Sequence, residues 1–101
     1  MTKLKEYKMF IDGEWVNSES KKSFKTLNPE TNEPWALVPE ASAKDVDKAV
    51  KAAQKAFEGD WSKLLPRERG NYLRAIANKL RENAELLGKI ETIDTGKLFR
   101  E

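Results

Sequence analysis

The chain has 101 residues, 39% apolar and 36% charged, a soluble-protein composition that fits one small domain, or part of a larger one, with a modest core. Nineteen Lys and Arg against seventeen Asp and Glu leave a net charge of +2, interspersed without a basic patch, which argues against a nucleic-acid partner. There is no cysteine and no histidine, which excludes a disulfide framework, a cysteine-ligated zinc or iron–sulfur site and a thiolate nucleophile within these residues.

Residues 1–8 read as a polar lead-in. They hold no apolar run of signal-peptide or membrane-spanning length, so a cytoplasmic protein with no membrane partner is expected. Residues 9–40 read as two hairpins. Met9-Phe10-Ile11 and Glu14-Trp15-Val16 flank Asp12-Gly13, a pair that supplies the positive φ angles of a type I′ turn. Asn17 to Lys22 is a polar loop, and Ser23 to Leu27 alternates in the period-two manner of a strand. Asn28-Pro29 ends that strand, because Pro29 cannot donate to a ladder and holds Asn28 extended. Trp35 to Val38 forms the return strand, closed by Pro39.

Residues 42–96 read as a helical region of three helices. Ser42 and Asp45 stand in the relation of a capping box, with Asp in place of the usual Glu. Val46, Ala49, Val50, Ala53 and Phe57 follow at helical spacing, opposite Lys44, Lys48, Lys51 and Lys55, and Gly59 ends the helix. Pro66 suits the first position of a second helix, whose buried face is expected at Leu73, Ile76, Ala77 and Leu80. Asn83 is placed to cap a third helix, with Leu87, Ile90 and Ile93 inward and Gly96 as its stop. Short hairpins and one-sided helices need a covering layer, and these residues supply little of one.

Four stretches together carry a resemblance. Phe10-Ile11-Asp12-Gly13-Glu14-Trp15-Val16 resembles the first hairpin of the aldehyde dehydrogenases, and Thr26-Leu27-Asn28-Pro29-Glu30-Thr31-Asn32-Glu33 resembles their Asn-Pro turn. Trp61 with Pro66-Arg67-Glu68-Arg69-Gly70 is similar to their second-helix entry, and Ile90-Glu91-Thr92-Ile93-Asp94-Thr95-Gly96-Lys97 to the close of their first helical region. The order and spacing agree across residues 10 to 98. One departure is Leu98, where the family usually has proline.

The resemblance implies an α/β fold with a Rossmann-type cofactor domain, of which residues 1–101 are the N-terminal part: two short β-hairpins, then three helices. It implies oxidation of an aldehyde to a carboxylic acid with NAD or NADP, in a homo-oligomer (dimer or tetramer). The family's glycine-rich cofactor segment, nucleophilic cysteine and general-base glutamate come later in its sequence. No residue here is therefore expected to be catalytic or cofactor-binding, and the chain alone is expected to be inactive. An acylating, coenzyme A-dependent member is an open alternative. So is a truncated, non-catalytic protein that self-associates or pairs with a full-length partner.

One site is implied by the same resemblance: a monovalent cation, potassium or sodium, held by Thr26, Leu27 and Asp94 together with a later loop. Oxygen ligands suit a hard alkali ion. The alternative leaves Asp94 as a helix-end carboxylate and Thr26 and Leu27 as plain strand residues. Gly96-Lys97 lacks the flanking glycine and the Ser or Thr of a phosphate loop, so Gly96 reads as a helix stop. Trp15, Trp35 and Trp61 read as anchors for the layer beneath them, and the lysine face of the first helix as solvated.

Overall fold

The computed structural model describes residues 4–100. Strand β1 spans Lys5–Glu6, β2 Met9–Ile11, β3 Glu14–Val16, β4 Ser23–Asn28 and β5 Glu33–Pro39; helix α1 spans Ala43–Glu58, a 3-10 turn Asp60–Lys63, α2 Pro66–Glu82 and α3 Ala84–Thr95. Both expected hairpins form. In the β2–β3 pair Met9 faces Val16 and Ile11 faces Glu14. Asp12 and Gly13 turn the chain at φ 53° and 78°, the left-handed angles a tight hairpin requires.

The polar lead-in does more than the sequence suggested. Lys5 and Glu6 pair in parallel with Ala36 and Leu37, and the Tyr7 N–H donates to the Leu37 carbonyl at 3.0 Å. This makes a three-stranded sheet in the order β1-β5-β4. Central β5 is paired on both edges, and at its midpoint Ala36 faces Lys5 on one side and Thr26 on the other. Ala36 is the one fully enclosed apolar residue among those described, at 0% exposure.

Helix α1 begins as its cap predicts. Ser42 accepts from the Asp45 N–H while Asp45 accepts from the Ser42 N–H at 2.8 Å, satisfying two free amides at once. Asp45 also takes the Glu19 N–H on both oxygens, at 3.1 and 3.2 Å, which ties the 17–22 loop to the helix start and leaves Asp45 only 4% exposed. Gly96, at φ 79°, ends α3 in the left-handed conformation and donates to the Thr92 carbonyl. The expected Asn83 cap is different in kind. Asn83 sits at the α3 N-cap position without a capping bond, and its side-chain amide donates instead to the Lys79 carbonyl at the end of α2. One residue serves two abutting helices: its backbone and side-chain N–H groups both donate to the Lys79 carbonyl of α2, while its own carbonyl accepts the Leu87 N–H of α3.

The buried face expected on α2 is open. Leu73, Ile76 and Leu80 are each more than half exposed, as are Val46, Val50 and Phe57 on α1, and of the α2 set Ala77 alone is half-buried. Amphipathic periodicity identifies a face that must be covered but does not supply the cover. Dimensions agree: the radius of gyration is 17.1 Å, against about 13 Å for a compact chain of this length. The accessible surface is 8739 Å², against roughly 5,800 Å² for a compact protein of 11.6 kDa. The excess, about 2,900 Å², lies within the range buried by large permanent interfaces.

Candidate functional site

The end of α3 meets β4 at the only place where a helix touches the three-stranded sheet through side-chain polar groups among the described residues. Gly96 makes this approach close, since a methyl group on its α-carbon would stand 3.2 Å from Pro29 Cγ. The Asn28-Pro29 turn beneath is itself fixed. Asn28 Oδ1 accepts the Glu30 N–H at 2.9 Å, its carbonyl accepts the Asn32 N–H at 2.7 Å, and Asn32 takes φ 58°, as a short polar side chain tolerates.

Docked this way, α3 carries Asp94 to Thr26. The Thr26 hydroxyl donates to Asp94 Oδ1, and the Trp35 indole Nε1–H donates to the same oxygen at 3.1 Å. Residues 68 positions apart in sequence thus share a hydrogen bond. Leu27 follows Thr26 in β4 and is 45% exposed; no hydrogen bond joins it to Asp94 among the described residues. Two of the three residues expected to hold a cation, Thr26 and Asp94, are therefore in contact, and Leu27 adjoins Thr26 along the chain.

Asp94 makes no ion pair with any Lys or Arg among the described residues, so its negative charge is met by neutral donors alone. A carboxylate with no ionic partner beside the Thr26 hydroxyl is an oxygen donor set of the kind a hard monovalent cation takes. No group of three or more His, Cys, Asp or Glu gathers among the described residues. Glu91, one helical turn before Asp94, supplies its backbone carbonyl to the Thr95 hydroxyl at 2.8 Å, which steadies the last turn.

Sequence reasoning treated Trp35 as a layer anchor, whereas its indole N–H reaches Asp94 and its ring meets Tyr7 edge-on at 6.1 Å. Pro34 was the available signal, because proline within a strand marks a ladder irregularity. Trp15 is 68% exposed and packs against Phe10, while Trp61, 42% exposed, pairs with Tyr72 of α2.

Elsewhere, the Ser42 backbone N–H above all holds the Asp45 carboxyl below the usual carboxylate range. Loss of solvation opposes this, and the Glu19 N–H, the Ser42 hydroxyl and Lys48 reinforce it. A groove of about 440 Å³ beside it runs between the β2–β3 hairpin and α1 and holds both Asp12, Glu19 and Asp45 and Lys48, Lys51 and Lys55. Opposite charges balance there, so the groove presents no single-sign field to a ligand. No helix of the described residues is long and apolar enough to cross a membrane.

Comparison with known proteins places this geometry. A sequence model of the aldehyde dehydrogenase family matches residues 15–101. An aldehyde dehydrogenase of Aspergillus niger is 47% identical over 89 residues, covering 88% of this chain and 18% of that protein. Aldehyde dehydrogenase [NAD(P)+] 2 of Saccharomyces cerevisiae is 43% identical over 91 residues, covering 90% of this chain and 18% of that protein. A solved aldehyde dehydrogenase from Bacillus cereus, in its NAD+ complex, superposes with a TM-score of 0.91 at 41% identity, covering 95% of this chain and 20% of that structure. The chain thus spans about one fifth of the length of the relatives it matches.

Proposed function

This chain belongs to the aldehyde dehydrogenase family, and from that premise we propose that it serves as the N-terminal segment of an enzyme oxidising an aldehyde to a carboxylic acid with NAD or NADP. The observation that carries this reading is the pairing of a close structural match with uncovered apolar faces. The solved relative contains about five times as much chain, and α1 and α2 here present the faces that further chain of that kind would bury. Residues 1–101 then contribute scaffold to the cofactor domain. Thiolate attack on the aldehyde carbonyl needs a cysteine, and there is none among these residues. The bound nicotinamide supplies the hydride acceptor. A cytoplasmic location and assembly into a homodimer or homotetramer complete the reading.

Within that enzyme, Thr26, Leu27 and Asp94 hold a potassium or sodium ion. The ion neutralises the Asp94 carboxylate and fastens the end of α3 to β4, a structural role removed from the reacting carbonyl. This part of the reading is supported by the Thr26–Asp94 hydrogen bond and by the absence of any ion pair to Asp94 among the described residues.

The test is removal of the segment. A full-length polypeptide carrying it reduces nicotinamide cofactor in the presence of aldehyde, the isolated 101-residue chain does not, and deletion of residues 1–101 abolishes soluble, active enzyme. Turnover by the isolated chain, or undiminished turnover after the deletion, refutes the proposal.

A further inference from the structure

The β4–β5 ladder is not uniform. Thr26 faces Ala36, but Leu27 faces Pro34, so the register skips Trp35. Proline at position 34 has no N–H to give the ladder, and a residue left unpaired in this way bends its strand and re-aims its side chain. The residue so turned is the tryptophan whose indole reaches Asp94. An in-register residue between Pro34 and Ala36 would follow the simple alternation of the sheet.

Both donors to Asp94 converge on one atom. The Thr26 hydroxyl and the Trp35 indole N–H each reach Oδ1, and no donor reaches Oδ2 among the described residues. A carboxylate held through one oxygen by two groups on different strands cannot rotate about its χ2 axis without breaking both bonds. Its second oxygen, with its share of the negative charge, is left free at a fixed position. The Trp35 ring is steadied in turn by its edge contact with Tyr7, whose backbone N–H is itself tied to the Leu37 carbonyl of β5.

From this arrangement we infer that Trp35 is a positioning residue for the cation site: bulged out of β5, its indole N–H clamps Asp94 Oδ1 together with Thr26 and presents Oδ2 to the alkali ion. The inference rests on the proposed cation role of Asp94 and adds to it a residue outside that ligand set. Trp35 does not touch the ion; it raises affinity by removing the rotational freedom that binding would otherwise have to restrict.

The experiment uses the full-length enzyme carrying this segment. Melting temperature is followed along potassium and sodium titrations at constant ionic strength, balanced with a bulky organic cation, and the ion dissociation constant is taken from the mass-action rise. Trp35→Phe keeps the ring and loses the N–H. It is expected to raise the dissociation constant roughly three- to tenfold, the effect of freeing one side-chain rotation that binding must then restrict, with the ion-free melting temperature little changed. Asp94→Ala is expected to abolish the ion response. A Trp35→Phe enzyme that titrates like the wild type while Asp94→Ala is flat overturns the role of Trp35 and leaves the cation reading standing. An Asp94→Ala enzyme that titrates like the wild type overturns both. Should Trp35→Phe not fold, Trp35→His and Trp35→Leu decide the matter at similar volume, one with a ring N–H and one without. Affinity that follows the donor supports the inference, and equal affinities overturn it.

Discussion

Gly96→Ala tests the joint between α3 and β4 directly. Two independent costs follow from the geometry. The backbone at position 96 holds φ 79° and ψ 3°, where a side chain crowds the following carbonyl at a cost of about 1–2 kcal/mol. The new methyl would also lie 3.2 Å from Pro29 Cγ, closer than ordinary contact, and Pro29 is held by the Asn28 turn and cannot easily retreat. Gly70→Ala is the control with opposite sign. Gly70 lies inside α2 with nothing within 4 Å of the added methyl, so alanine there gains about 0.5–1 kcal/mol of helix propensity. Both variants are made in the full-length enzyme carrying this segment, where the apolar faces are covered and 1 kcal/mol moves the melting temperature by roughly 2–4 °C. Gly96→Ala is therefore expected to lower it by roughly 2–8 °C and Gly70→Ala to raise it by roughly 1–4 °C. Circular dichroism melts of both variants beside the wild type provide the comparison. A Gly96→Ala protein as stable as the wild type would show that α3 does not meet the Asn-Pro turn as described.

Asp45 gives a pH dependence whose sign is fixed. Its carboxyl is held below the ordinary value of 3.8, so the folded state binds the proton less readily than the unfolded state. The stabilisation is complete above the unfolded value and is lost as pH falls through the depressed folded one. Melts at descending pH should show this acid loss in the wild type and a shallower one in Asp45→Asn; an identical acid slope in both would remove Asp45 from the account. Ser42→Ala deletes the hydroxyl that caps α1 and should cost about 0.5–2 kcal/mol, read as a shift in urea midpoint; no shift would show the cap to be redundant. With about 2,900 Å² more surface than a compact chain exposes, the isolated 101 residues should self-associate as their concentration rises. Sedimentation velocity checks this, and a monomer with a sharp cooperative melt at every concentration would contradict it.

Local chemistry alone wrote most of the element map. Asp12-Gly13 dictates its own turn, Ser42 with Asp45 dictates a helix start, and Pro66 and Gly96 mark a start and a stop, because each acts within a few residues of itself. The family was legible for the same reason, since its signatures are these turns and caps in a fixed order. What lay beyond the sequence were relations between distant segments. The parallel pairing of Lys5 and Glu6 with β5 leaves no periodic trace in two charged residues. The Asn83 side chain turns back to the end of α2 instead of capping α3, an orientation set by how the two helices abut and not by the residue type. The contact of Thr26 with Asp94 could be named through resemblance, but the Trp35 indole on the same oxygen depends on a strand bulge and a helix docking together. Burial is the clearest case: periodicity says which face of α2 is apolar, whereas whether that face meets protein or water is a property of the layer opposite, which no residue of the helix encodes.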